Sequence, residues 1–244
     1  MLISGALEKA RLYIETHSKE KEPDKKGKFE KGPCITISRE TGAGADVISQ
    51  KLVEILQKYK KENLPDWTIF DRNLIEKVLE DHHLPKTLSE LFDEKKHSSI
   101  ISFASELLAA QPAIHTLVHK TTQTILSLAE IGNVIIIGRA GNLVTAHMTN
   151  SFHVRLVAPI EDRIKYVQEH CGYDYKKAVD FLKEDDQERK NYIKTYFHKQ
   201  IDDPLLYHLI LNTRRFNFEH AAKIIADCVL RMFPKSFNLP EERL

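Results

Sequence analysis

The sequence predicts an α/β protein, a three-layer fold in which one five-stranded parallel sheet carries helices on both faces. Two observations carry that expectation. Short runs that are apolar almost throughout alternate with longer segments of helical period, and a strand buried on both faces reads as such a continuous run. The first of these runs also passes through the glycine turn TGAG directly into an amphipathic helix.

Taken in order, Leu2, Ile3, Ala6, Leu7, Ala10 and Ile14 recur at helical spacing and predict an amphipathic helix over residues 1–17. Residues 18–32, SKEKEPDKKGKFEKG, are charged, contain Pro23, Gly27 and Gly32, and have Phe29 as their one large apolar side chain, so a solvated linker is expected. The helix before it either docks on the main domain or lays its apolar face into a groove of a partner or a second copy. Residues 33–244 read as a single domain. CITIS (34–38) leads to a helix near 45–61, and WTIFD (67–71) to one near 72–82. A mostly helical stretch spans 87–131, with Pro112 breaking it in two. NVIIIG (133–138), FHVRLVA (152–158) and LYHLILN (206–212) complete the strands. Helices near 160–170 and 174–197 separate the last two, and one near 217–233 closes the chain. The helices at 87–131 and 160–197 are then insertions over the carboxyl ends of the strands, where open α/β sheets bind ligands.

Composition narrows the function. Lys plus Arg number 36 against 35 acidic residues, a formal net charge of +1, so no global field recruits nucleic acid or an anionic membrane and any anion site is local. Cys34, Cys171 and Cys228 are odd in number and hold no CxxC pair, which argues against a disulfide framework and a thiolate zinc site and points to a reducing cytoplasm. Apolar runs such as VIIIG fall far short of the roughly 20 residues of a membrane helix. The amino terminus has no secretion-signal pattern.

The strand–glycine turn–helix segment is the chemical signal. Set on the phosphate-binding template GxxxxGK[ST], residues 39–46 read RETGAGAD. Gly44 keeps the second glycine, while Arg39, Ala45 and Asp46 replace the first glycine, the lysine and the hydroxyl residue. What remains is a turn that can aim backbone N–H groups and a helix dipole at an anion. Glycine turns between strand and helix also serve plain packing.

CITISRETGAGADVISQKL, FDRNLIEKVL, VIIIGRAGN, HVRLVAPIEDRI, DQERKNYIKTYF and YHLILNT together resemble the cytidylate kinase-like family in order and approximate spacing. The chain looks like a divergent nucleoside monophosphate kinase of the P-loop superfamily. That resemblance implies Mg²⁺ and ATP as cofactors and transfer of the γ-phosphate to a nucleoside monophosphate, CMP or dCMP first. It assigns Thr41, Gly42, Ala43, Gly44, Ala45 and Asp46 to the ATP phosphates. Asp71, Arg72, Lys77 and Arg139 fall at the acceptor, Lys77 where an arginine grips its phosphate. Arg39, Arg139, Arg163 and Arg189 become the catalytic cations, with Arg189 on a closing lid. Phosphoryl transfer demands alignment and charge neutralisation rather than a covalent catalyst, and arginine supplies a planar, permanently charged fork for phosphate oxygens.

Departures keep two alternatives open. The loop lysine is absent, the acidic residue expected before GR is Ile137, and the base-reading acid after it is Ala140. Arg39 and Arg189, with Lys183, Lys190 or Lys194, are candidate substitutes for the lysine, and Asp46 for the hydroxyl ligand of Mg²⁺. The alternatives are a nucleotide-binding regulatory protein without turnover and a kinase of another small phosphate acceptor. His115 and His119, spaced i, i+4, have no HExxH motif or third ligand to make a zinc site. His82 and His83 suit the end of a helix and need no further role.

Overall fold

The computed structural model describes residues 31–71 and 112–240. The expected amino-terminal helix, most of the linker, the helix near 72–82 and residues 87–111, with Arg72, Lys77, His82 and His83, lie outside the described residues.

Within them the order is β1 (Cys34–Arg39), α1 (Ala45–Gln57), β2 (Thr68–Phe70), α2 (Pro112–Ile131), β3 (Val134–Ile137), α3 (Gly141–Val144), β4 (Ser151–Val157), α4 (Ile160–Cys171), α5 (Tyr175–Phe197), β5 (Leu209–Asn212) and α6 (Phe218–Met232). The five strands form one parallel sheet in the order β2-β3-β1-β4-β5. The glycine loop therefore leaves the central strand. Cys34 lies opposite both Val134 and Ser151, so β1, β3 and β4 end nearly level and present their carboxyl ends to one site.

Two cores explain the continuous apolar runs. Ile35 and Ile37 of β1, Ile135 and Ile137 of β3, and Phe152, Val154 and Leu156 of β4 face α1 and α6, meeting Ile48, Leu52 and Leu56 from the former and Ala222, Ile225 and Val229 from the latter. Cys34, Val134 and Ile136 point the opposite way and pack with Ile125, Leu128 and Ala129 of α2 and Ile193 and Phe197 of α5. Each large side chain removed from water adds about 1.5–3 kcal/mol, so both faces must be covered for β1 to be stable. The second face is not apolar throughout. Thr36, Ser38, His153 and Arg155 are buried there in a polar strip along β1 and β4.

Local chemistry accounts for the boundaries. Asp174 caps α5 by accepting a hydrogen bond from the Lys177 N–H at 2.8 Å, and Asn217 caps α6 from the His220 N–H at 2.8 Å. α2 begins at Pro112, where proline's missing N–H costs nothing. Two differences from the sequence reading stand out. The last strand begins only at Leu209, because Pro204–Leu206 make a 3₁₀ turn whose Leu205 N–H donates to Asp203 at 2.9 Å. The single-turn helix α3 was not foreseen. Among the described residues no helix is long and apolar enough to cross a membrane, and the three cysteines are free.

Candidate functional site

The loop after β1 is tied to β4 before any ligand is considered. The Glu40 N–H donates to the Leu156 carbonyl at 3.0 Å, and the Ala158 N–H donates to Glu40 Oε2 at 3.0 Å. Gly44 then starts α1 with φ of +80°, and a Cβ there would lie 2.4 Å from the Phe218 ring. Only glycine satisfies both the left-handed backbone and the close approach. No side chain caps α1, so its first-turn amides and dipole are left for an anion or solvent.

Two cavities flank this loop. One, of about 330 Å³, is lined by the loop from Arg39 to Asp46 together with Asp71, Tyr166 and Arg189. The other, of about 220 Å³, is lined by Ser38, Arg39, Arg139, Asn142, Glu188, Arg189 and Tyr192. Arg39 and Arg189 stand in both walls. Arg39 reaches that place by lying across Gly138, where a Cβ would come within 2.1 Å of its Nη1. Gly138 is thus the floor on which the cation rests, and it too has positive φ, +81°.

Arg139 follows at once. Its φ of +51° and that of Ala140, +57°, continue the left-handed turn, a backbone that disfavours side-chain-bearing residues and clusters at functional sites. α3 stabilises the turn: the Gly141 N–H donates to the Gly138 carbonyl at 2.9 Å, and the Leu143 N–H to the Ala140 carbonyl at 2.8 Å. Arg139 thereby lines the second cavity beside Tyr192. Burial pushes the Tyr192 phenol up, while the Arg139 charge draws it back. Ala140 is itself buried in the core under α3, with no polar group to offer a base.

The remaining predicted residues separate. Asp71, at the end of β2, lines the first cavity with Asp46. Arg163 lines neither of the two. It is buried behind the loop, its Nη1 donating to the Thr41 carbonyl at 3.2 Å and to Asp186 Oδ2 at 2.5 Å, with Nε 3.7 Å from Glu40. Its evident work is to hold the loop. Arg189 donates to Thr41 Oγ1, Asp185 and Asp186.

Sequence reasoning missed the acidic pair that receives these arginines. The Thr41 N–H donates to Asp186 Oδ1 at 2.8 Å, and the Thr41 hydroxyl lies 2.8 Å from Asp185 Oδ2 and 2.7 Å from Asp186 Oδ1. Burial raises the Asp186 carboxyl, but hydrogen bonds from the Thr41 amide and hydroxyl and from Arg163 more than offset it and hold it below the usual carboxylate range. The signal was present: Asp185 and Asp186 stand four and three residues before Arg189 on α5, one helical turn.

Tyr166 was missed as well. Its hydroxyl donates to Asp46 Oδ1 at 2.8 Å, and its ring stacks on His170 and meets Phe218 edge-on. Burial, then the Asp46 hydrogen bond and charge, push this phenol well above its ordinary value, so it remains a donor. Mg²⁺ prefers oxygen ligands and takes one or two carboxylates beside substrate phosphates. Asp46 and Asp71 on one cavity wall supply that donor set, whereas no group of three or more metal-binding side chains occurs among the described residues. The two carboxylates fit a Mg²⁺ ion that also takes phosphate oxygens.

Known proteins of similar fold and sequence can be set beside this one. The chain is similar to an uncharacterized protein from Eubacterium ventriosum ATCC 27560, 20% identical, with 82% of this chain and 98% of that one covered at a TM-score of 0.62. It is also similar to the shikimate kinase from Acinetobacter baumannii, solved in complex with shikimate, at 15% identity and a TM-score of 0.40 over 83% of this chain and 96% of that one. The shikimate kinase from Bacteroides thetaiotaomicron gives 14% identity and 0.39 over 81% and 98%. No curated protein matches the sequence. Residues 34–215 match the cytidylate kinase-like family, a span that runs from β1 past β5 and includes the glycine loop, the Gly138–Arg139 turn and α5; the chain belongs to that family.

Proposed function

We propose that the protein moves the γ-phosphate of Mg·ATP to a small phosphorylated acceptor, a nucleoside monophosphate such as CMP or dCMP before others. One observation carries the reading: two cavities at the carboxyl edge of the sheet share Arg39 and Arg189 as their common wall. A phosphoryl group in transit between donor and acceptor needs cations that both sides can reach, and a shared pair of guanidinium groups meets that need. Arg39 thereby takes over the work of the missing loop lysine. In this reading the loop amides and α1 would receive the donor phosphates and Arg139 would grip the acceptor, while Asp46 and Asp71 are the residues that would hold Mg²⁺, which when bound supplies charge neutralisation to the phosphates.

A second reading, a nucleotide-binding regulator without turnover, is favoured by Ala45 in the lysine position. A coupled ADP-release assay with Mg·ATP against CMP, dCMP, UMP, AMP and non-nucleotide phosphate acceptors separates the two. Acceptor-dependent release supports the transferase. ATP binding with no acceptor-dependent release would reject turnover and leave the regulator. Because Ala140 offers no polar contact to a base, the preference for CMP and dCMP over the other acceptors is expected to be modest.

A further inference from the structure

Arg189 and the Thr41 amide, assigned above to phosphate, already hold an anion, and it belongs to the protein. Asp186 accepts from the Thr41 N–H at 2.8 Å and from Arg163 at 2.5 Å, and Arg189 Nη1 lies 3.1 Å from it. Asp185 takes the other arm of Arg189 and lies 2.8 Å from the Thr41 hydroxyl. Two carboxylates thus present to one loop amide, one hydroxyl and two guanidinium groups the oxygen arrangement that a phosphate would present. Both come from α5, the helix carrying Arg189, and both are only partly buried, so the contact is not part of either core.

We propose that Asp185 and Asp186 form a latch that closes α5, as a lid, on the phosphate loop and competes with the nucleotide for Thr41 and Arg189. This inference rests on the phosphate-site reading above and concerns its regulation. With the latch shut, Arg163 and Arg189 are paired with carboxylates. A polyphosphate must displace the carboxylates before Arg189 can turn to it, so ligand binding and release of the latch are one event and affinity is reduced by the fraction of time the latch is shut. The ends of α5 allow such release. Gly172, just before it, has φ of +67° with nothing within 4 Å of where a Cβ would stand, and His198 ends it in the left-handed region. Beyond that end, Arg155 of β4 holds Asp202 and Ser38, which pins the far side of the lid to the sheet.

The test is calorimetric binding of inorganic tripolyphosphate with Mg²⁺ to the full chain, comparing wild type, Asp185→Asn, and the double variant Asp185→Asn/Asp186→Asn, each checked by circular dichroism. The latch predicts that the double variant binds at least about tenfold tighter and the single variant shows a smaller gain in the same direction, because charge-assisted competitors have been removed. If the double variant does not fold, Asp185→Asn alone decides the sign. Equal or weaker binding by the variants, with wild-type binding abolished in Arg39→Ala, overturns the latch and leaves the phosphate site standing. Absence of tripolyphosphate binding in wild type and variants alike overturns both.

Discussion

Side chains with similar sequence credentials have different work in the folded protein. Arg39 and Arg163 were both expected to be catalytic, yet one lines both cavities and the other lines neither, bonding the loop carbonyl of Thr41 from behind. Arg39→Ala is therefore expected to lower kcat/KM by roughly 10²–10³-fold, the usual effect of losing one preorganised charge at a reacting centre, with the fold intact by circular dichroism. Arg163→Ala is expected to register first as a lower Tm, since it takes the guanidinium donor from the buried Thr41 carbonyl and one of several donors from Asp186. His153 carries a different prediction. It is buried beside Thr36, its ring nitrogen 2.8 Å from that hydroxyl, and its backbone N–H donates to His208 Nδ1 at 2.9 Å. Burial, then the nearby His208, lower its pKa from 6.5 to about 4. The native state resists protonation that the unfolded chain accepts, so this contribution is complete above pH 6.5 and is lost as pH falls from 6.5 through about 4. At most about 3 kcal/mol is involved. Urea unfolding at pH 5 and pH 7 should show the loss in wild type, and His153→Asn should flatten it.

At the level of elements, turn chemistry decides more than propensity does. Gly44→Ala must place a methyl group 2.4 Å from the Phe218 ring at φ of +80°. It is expected to lower Tm and to weaken ATP binding together, because the same residue starts α1 and shapes the loop. Asp174→Ala removes the cap of α5 and should cost about 1 kcal/mol, read in chemical denaturation. All five strands and α1, α4, α5 and α6 were legible as apolar runs and helical periods, because each buries apolar side chains in a packed cluster, α4 doing so against the first turns of α5 rather than against the sheet. α3 was not, since the four residues of GNLV are too few to show a period. The premature start assigned to β5 has the same origin: Leu206 reads as apolar strand, whereas Pro204 and the Asp203 side chain bend the chain into a turn. Of the site, the glycine loop and the arginines were visible as motif members. Asp185, Asp186 and Tyr166 were not, because on a helix of alternating charge an acidic pair reads as solvated surface until tertiary structure sets Thr41 against it.

For the molecule as a whole, phosphate affinity must show in stability. A ligand that binds only the folded chain raises Tm in proportion to its occupancy, so ATP with Mg²⁺ is expected to shift the melting curve, and Ala45→Lys to alter that shift. A larger shift would mean the loop had lacked a cation, a smaller one that Arg39 already fills the space. The parallel sheet makes this coupling direct, since β1 at its centre carries the loop and is bonded on both sides. The wall shared by the two cavities has a consequence for how such a protein can diversify. If the two cavities take donor and acceptor as proposed, a substitution at Arg39 or Arg189 would change recognition of both in one step, and neither position could be tuned for one substrate alone. New preferences must accumulate at residues that see a single chamber: Asn142 and Tyr192 on one side, Gln50 and Tyr166 on the other. The common wall couples the two rooms, so each can be refurnished by itself only from its far side.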